Sequence, residues 1–474
     1  MNNTNDNKNT IYFLIASMAL LGFYQFVYPG PQQQKARQVQ MAAAAAAASS
    51  SAAAAGIPLN AAGVPVVTAA LTRDQALVLS PRIKIDTPSL KGSIALKGGL
   101  IDDLYLLKYD QTVDKKNDPV ELLIPAATAN AYYIQSGYLG QNIPGLPDLN
   151  TIWTASSDTL SPGKPVTLSY TNGAGLTFTR ALSIDGNYMI TEDDAVINAT
   201  GAAISFQPYS TVVRSGMPVA GSHSAIVHEG AIVTVPNKIT DGKVASYHSQ
   251  SYKYKDMVKN PAKTGLNGQD EKSNSIGGWF GITDRYWMAA VIPAQTQAVK
   301  VTAQADTRGT TPVFRAGYMD NTVSLAAGQT WKSQSHIFAG AKLNTQLQAY
   351  EDTLHIPRFH WAVDWGMLSI ITYPMYWLLD KLYGFIGNFG LSILALTVIV
   401  KIVFYPLAHR SYESMTKMRQ VQERLKPKLD AIKARYENDP QKQQEATMAL
   451  YQEEKVNPMA GLGGCLPMLL QLPV

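Results

Sequence analysis

The rhythm of hydrophobic and polar positions changes several times along this 474-residue chain, and each change predicts a different element. Residues 11–28, IYFLIASMALLGFYQFVY, form an uncharged apolar run stopped by Pro29-Gly30-Pro31. The run is long for the apolar core of a cleaved signal, ends in Tyr24, Phe26 and Tyr28, and has no small-residue cleavage site beside it, so it predicts a retained membrane anchor over 1–30. From 31 to 72 the composition turns to Gln, Ala, Ser and Pro without a repeating apolar stripe, as in a spacer. Between 73 and 356 short alternating runs with turn punctuation take over. The clearest is Val166–Tyr170, Asn172-Gly173, Leu176–Ile184, then Asp185-Gly186, where glycine supplies the positive φ of tight hairpins. Further strands are expected at Ala195–Asn198, Ala225–Val235 and Val299–Ala303, with a closing helix at Leu343–His355. This pattern predicts a large antiparallel β domain, a sandwich with its own core.

The pattern becomes helical beyond 356. Trp361–Ile386 is aromatic and broken by Pro374; on a helical wheel Arg358, Asp364, Ser369, Thr372 and Asp380 share about half the circumference. An amphipathic helix lying in the membrane interface is expected over 357–386, with a true span as the alternative. Gly387–Leu407, GNFGLSILALTVIVKIVFYPL, is long enough to cross a bilayer, because about 20 residues at 1.5 Å each span the hydrocarbon core. Lys401 interrupts it about two thirds of the way through. A cation at that depth costs about 2.5–3.5 kcal/mol, so it marks either a water-filled groove or a side chain snorkelling to the nearer interface. Thr397 and Tyr405 stand four residues either side of it and give one face a hydroxyl, an ammonium and a phenol.

Over 409–457 charge returns, with Met418, Val421, Leu425, Leu429, Ile432 and Tyr436 recurring at three- and four-residue steps. Asn438-Asp439-Pro440 stops that helix and starts a second, lined by Met448, Tyr451 and Lys455, so a helical hairpin follows the span. The basic residues nearest the membrane, Arg410, Lys417 and Arg419, place the hairpin in the cytoplasm by the positive-inside tendency. The β domain is then outside and the N-terminus inside. Residues 458–474 turn apolar again and are expected to open a further span that continues beyond Val474.

A formal net charge of +5 is too mild to argue for nucleic-acid binding. The single cysteine, Cys465, excludes an internal disulfide and reads as a small apolar residue rather than a nucleophile. No G-x-S-x-G, Walker or H-E-x-x-H motif occurs. His223, His228 and Glu229 gather on one expected strand, too few for a metal site and read as surface residues, and Asp193-Asp194 is assigned to a turn. No catalytic residue, cofactor or metal is expected.

GLTFTRALSIDGNYMI (175–190), GWFGITDRYWMAAVIP (278–293), FAGAK (338–342), FHWAVDWG (359–366), the span 387–407 and EKVNPMAGLGGCLPMLLQLPV (454–474) together make the chain resemble the YidC/Oxa/Alb family of membrane protein insertases. The resemblance implies a multi-domain protein of the bacterial inner membrane. It would have an α-helical transmembrane core, a large all-β periplasmic domain of β-supersandwich type, a periplasmic interface helix and a cytoplasmic helical hairpin. It further implies a hydrophilic groove in which newly made membrane proteins are received, with the family's basic residue, usually arginine, matched here by Lys401 and its threonine by Thr397. Lysine is a point charge and cannot grip a carboxylate with two teeth as arginine does. The Sec translocon, the ribosome or the signal recognition particle receptor, the last two through the hairpin, are the partners it implies. A membrane-tethered enzyme or sugar-binding module centred on the β domain, and a transporter or channel, are the competing classes.

Overall fold

The computed structural model describes residues 71–112, 118–218, 227–240, 243–261, 264–309, 311–366, 368–437 and 439–454. The expected anchor, the spacer up to 70, His223, Lys455, Cys465 and the run 458–474 lie outside the described residues. Two compact units are present: 71–218, 229–342 and 350–358 form one; 227–228, 343–349 and 359 onward form the other. Six α-helices occur among the described residues: α1 (Arg73–Leu77), α2 (Tyr254–Lys259), α3 (Asn344–Leu354), α4 (Ser369–Ile386), α5 (Phe389–Arg435) and α6 (Pro440–Glu453).

The first unit is a sandwich of two sheets. One has nine strands among the described residues, ordered Tyr247–Lys253, Gly230–Pro236, Trp279–Thr283, Trp287–Ile292, Thr330–Ala341, Met189–Asn198, Leu176–Ile184, Val166–Thr171 and Thr154–Ala155. The main path of the other runs Leu266–Asn267, Ala298–Asp306, Val313–Asp320, Ile204–Ser215, Tyr132–Gly140, Leu100–Asp110, Leu90–Ala95, Arg82–Asp86 and Thr159–Leu160. Side-chain alternation decides the inner faces: Leu176, Phe178, Arg180, Leu182 and Ile184 are buried while the residues between them are not. Aromatic rings join the sheets, with Tyr138 of one lying 5.2 Å from Phe178 and 6.4 Å from Trp331 of the other, centroid to centroid.

The expected hairpin forms, with Tyr170 opposite Phe178, and Gly173 at φ 69° in the connection. Its second turn works differently. Gly186 has no positive φ; instead Asp185 Oδ1 accepts from the main-chain N–H groups of Asn187 and Met189. Two strands are longer than read, Met189–Asn198 and Ala298–Asp306; of the strand expected over Ala225–Val235, residues 225–226 lie outside the described residues and the described strand is Gly230–Pro236. His228 and Glu229 therefore precede the strand rather than sit on it, and His228 is buried, not a surface histidine. Asp193 and Asp194 lie inside a strand, not at a turn. The spacer ends earlier than 72: Leu71 pairs with Thr128, and Thr72 caps α1 with a reciprocal bond to Gln75.

In the second unit the helix expected over 357–386 is shorter. It starts at Ser369, because Arg358 takes a left-handed φ of 55° and Gly366 one of 68°. Arg358 and Asp364 thus leave the polar face on which the wheel placed them. No residue of α4 is buried within the unit. The segment before it is folded onto its first turns: Trp365 meets Tyr373 at 4.9 Å and Tyr376 at 5.2 Å, and Thr372 Oγ1 donates to the Trp365 carbonyl.

Helix α5 runs unbroken for 47 residues, through Pro406 and Pro427. The span and the first arm of the hairpin, read as separate elements meeting near 408, are one helix. Asp439 accepts from Lys442 N and Pro440 opens α6, as the sequence predicts. Glu454 closes the pair, holding Arg424 at 3.0 Å and Lys428 at 2.5 Å. Leu425 and Leu450 are the buried apolar residues here, whereas Met448 is exposed.

Candidate functional site

The corner between α4 and α5 positions the site. Gly387, at φ 72°, closes α4 by donating to the Tyr383 carbonyl, a conformation glycine adopts without steric penalty. The next residue, Asn388, caps α5 by accepting from Leu391 N, and Ser392 Oγ donates back to the Asn388 carbonyl. One residue thus ends a helix and the following one begins another, and the Tyr383 and Phe389 rings meet at 5.8 Å across the corner.

From there Phe389–Pro406 offers 18 residues of mean hydropathy 2.0, of which only 6% are buried inside the structure. It is the one described helix long and apolar enough to cross a membrane. Leu391, Leu394, Val398, Ile402 and Val403 are exposed, an apolar surface that water would not tolerate but lipid would. Lys401 is exposed among them and has no ion-pair partner among the described residues.

Thr397, Lys401 and Tyr405 follow one another at four-residue steps and so share a face of α5. They are not bonded to one another. Thr397 Oγ1 donates to the Ile393 carbonyl at 2.8 Å, so its hydroxyl is satisfied by its own helix. The Tyr405 ring stacks on His409 with 6.0 Å between centroids and 10° between planes, and His409 Nε2 lies 3.4 Å from Glu413 Oε1. The polar face therefore continues past the span, through a histidine that sequence reading did not single out although it falls on the same four-residue step.

Arg410 and Arg419 do not share a face: Lys401 and Arg419 are eighteen residues, or about five turns, apart and so align on one side of α5, while Arg410, nine residues from Lys401, falls on the other; Lys417 belongs to the same helix. Arg419 is exposed and loosely paired with Glu423 at 3.4 Å.

The sandwich holds a second concentration of charge, which the sequence reading missed. Arg180 is buried; its Nε and Nη2 lie 2.8 Å from the two carboxylate oxygens of Asp194, Nε is 3.0 Å from Glu192 Oε1, and Nη1 donates to the Ser136 carbonyl of the facing sheet. Ser136 Oγ donates to Glu192, and Tyr138 Oη donates to Asp194. Burial opposes the Arg180 charge, but Asp194 and Glu192 hold its pKa above the ordinary value. Burial raises Glu192, and it raises Asp320 to about 7, with Asp194 adding to the rise. Arg180, Glu192, Asp194, Ser136 and Tyr138 are engaged with one another, so this cluster ties the two sheets together, while Asp320 stands apart from it and accepts from Gln297 Nε2. The signal was present: Arg180, Glu192 and Asp194 each occupy the inward parity of a strand.

Comparison with known proteins finds a family match for each part of the chain, the two meeting within α4. Residues 82–378 match the YidC periplasmic domain family and 381–474 match the 60Kd inner membrane protein family. Proteins named membrane protein insertase YidC are 43% identical in Caulobacter vibrioides over 99% of this chain and 75% of that protein, and 40% identical in Brucella suis over 99% and 76%. One from Methylobacterium nodulans is 41% identical over 99% and 76%. The chain thus spans about three quarters of the length of these curated relatives. With both parts matched in order and identity sustained from end to end, this chain belongs to the YidC family of membrane protein insertases.

Proposed function

We propose that this protein inserts newly made membrane proteins into the bacterial inner membrane, and that the face of α5 carrying Thr397, Lys401 and Tyr405 is where their polar segments are received. The observation that carries the site is an ammonium without an ion-pair partner among the described residues, on an exposed apolar helix, at a depth where a lone charge costs about 2.5–3.5 kcal/mol. Such a charge persists where water reaches it, and neighbouring spans forming a hydrated groove open to the cytoplasm and to lipid would provide that water. A client's acidic or polar leader would enter the groove beside Lys401 while its apolar segment moves sideways into lipid. The drive is apolar burial, about 25 cal/mol per Å², helped by the membrane potential.

In this reading 1–30 anchors the chain with its N-terminus in the cytoplasm, 31–72 is a linker, and the β domain lies in the periplasm. Helix α4 rests in the periplasmic interface, α5 crosses to the cytoplasm, and its distal half pairs with α6 as a cytoplasmic hairpin. Because Arg410 falls nine residues from Lys401, on the other side of α5, the hairpin would hold a ribosome or signal recognition particle receptor on one side while the groove faces the client. Residues 458–474 would begin the next span, and the Sec translocon would be an optional partner.

Replacement of Lys401 by Ala, Glu and Arg tests the site, by following insertion of a small single-span client with an acidic leader. Arg should preserve insertion, Ala should reduce it and Glu should reduce it most. Equal insertion by all three variants would return Lys401 to an interface-seeking side chain.

A further inference from the structure

Trp279–Thr283 and Trp287–Ile292 pair as a hairpin, with Thr283 opposite Met288, and the Asp284 N–H donates to the Trp287 carbonyl at 2.9 Å. Arg285 and Tyr286 are left as its two-residue tip. Such tips favour Asn, Asp and Gly, which take the required backbone angles at low cost. This one carries a long cation and a large ring instead, and Tyr286 is 57% exposed. A choice made against local turn chemistry points to function rather than to folding.

The tip is held from two sides. Asp284 Oδ2 accepts from Arg214 Nη1 at 2.5 Å, and the Arg214 guanidinium lies 4.7 Å from the centre of the Tyr132 ring. The Tyr286 carbonyl accepts from Lys342 N at 3.0 Å. Rings gather behind it: Tyr286 meets Trp287 edge-on at 6.0 Å, Trp287 meets Tyr109 at 4.9 Å, and Arg285 lies 5.1 Å from the Tyr286 centroid. Trp287 and Tyr109 are half-buried, whereas Arg285 and Lys108, the chain neighbour of Tyr109, are exposed. Asp110 is an exposed carboxylate on the other side of Tyr109, and the acid of the turn itself, Asp284, is neutralised by Arg214. Partly sunken rings bordered by cations on long stems are the composition of a membrane interface, where rings sit at headgroup depth and Lys and Arg reach phosphates.

The path of the chain agrees. Two of the places where it passes between the sandwich and the unit containing α4 and α5, 228–229 and 342–343, adjoin this tip: Gly230 pairs with Thr283, and Lys342 is bonded to Tyr286. We propose that Arg285, Tyr286 and Lys108 form a seat for the β domain on an anionic phospholipid surface, the ring entering the headgroup layer and the two cations meeting lipid phosphates. The proposal rests on the reading that α5 crosses the membrane and the β domain lies in the periplasm. Such a seat restrains the tethered sandwich against the bilayer.

The test uses the full chain in vesicles of phosphatidylcholine with about 30% phosphatidylglycerol, with the photoreactive ring of benzoylphenylalanine replacing Tyr286 and, separately, Ala174. Ala174 is exposed in the turn at the far end of Leu176–Ile184, whose near end lies beside Met189 and, through it, Phe338. Mass spectrometry should find phospholipid adducts at 286 at least about fivefold more often than at 174. Removing both cations, Arg285→Ala with Lys108→Ala, should lower phosphatidylglycerol adducts at 286 about threefold to tenfold, and raised salt should do the same to the parent. Both residues are exposed, and an unchanged melting temperature would show that the variant keeps its fold. Equal adducts from 286 and 174, adducts indifferent to the two cations and equally frequent in pure phosphatidylcholine, or adducts from 286 to protein alone would each overturn the proposal. No client is present in this experiment, so its failure is distinct from failure of the Lys401 variants.

Discussion

Replacing Arg180 by Met removes the one cation among the described residues that is paired with Glu192 and Asp194 inside the sandwich. The side chain is about as long and its stem packs as before, so the change isolates charge and hydrogen bonding. Four contacts are lost, two to Asp194, one to Glu192 and one to the Ser136 carbonyl. Two carboxylates then remain between the sheets with only Ser136, Ser335 and Tyr138 hydroxyls to serve them. Breaking a buried pair from one side costs about 3–5 kcal/mol, because the surviving charge has neither water nor partner. In a domain of this size each kcal/mol moves Tm by about 2–4 °C, so a drop of roughly 6–20 °C is expected. Thermal unfolding of the full chain, followed by near-ultraviolet circular dichroism, reads it. Adding Glu192→Gln and Asp194→Asn to Arg180→Met should restore a large part of the loss, since neutral amides no longer need the cation. A loss below about 1 kcal/mol, or no recovery in the triple variant, would refute the reasoning.

Other predictions follow from the same contacts. Burial lifts the folded Asp320 carboxyl to about 7 against roughly 4 unfolded, so its stabilising contribution is complete below about pH 4 and is lost as pH rises to 7; Asp320→Asn should flatten Tm between pH 5 and 8 and raise it at pH 8, and an unchanged slope would exclude Asp320 as its source. Gly387→Ala should destabilise the α4–α5 corner by about 1 kcal/mol, from the φ of 72° alone since nothing crowds the added carbon, measured as faster amide exchange at the end of α4; unchanged exchange would oppose it. Glu454→Gln removes the negative charge shared by Arg424 and Lys428 and should speed exchange across 440–453 in low salt, with little further effect of salt on the variant; exchange identical to the parent would show that the hairpin is held by Leu425 and Leu450 instead.

The β fold was legible wherever local chemistry and tertiary packing agree. Asn172-Gly173 supplies the positive φ its turn uses, and Leu176–Ile184 alternates as a half-buried strand must. Reading failed where two local solutions compete. Asp185-Gly186 looks like a glycine turn, but the aspartate carboxylate closes it and the glycine keeps an ordinary φ. Asp193-Asp194 looks like a turn because exposed aspartates favour turns, yet Asp194 is satisfied by an arginine fourteen residues away on the neighbouring strand. Pairing of that kind depends on register, which no local window contains. The helical wheel over 357–386 failed because Arg358 and Gly366 take left-handed conformations, so the continuous helix it assumes does not exist. The return of charge near 408 suggested a boundary between span and hairpin, but α5 passes through it unbroken. At the candidate site, Lys401 stood out because charge inside an apolar run is costly, whereas His409 did not, since beyond the span a polar residue is ordinary.

The central claim is that the Lys401 face of α5 meets a client during insertion. The most direct measurement places a photo-crosslinking residue in turn at 397, 401 and 405, and on the opposite face at 403, in full-length protein beside a stalled nascent chain with an acidic leader. Adducts to the nascent chain from 397, 401 and 405, and lipid or no adduct from 403, are the predicted result. Equal crosslinking from both faces, or adducts only to lipid headgroups from 401, would contradict it.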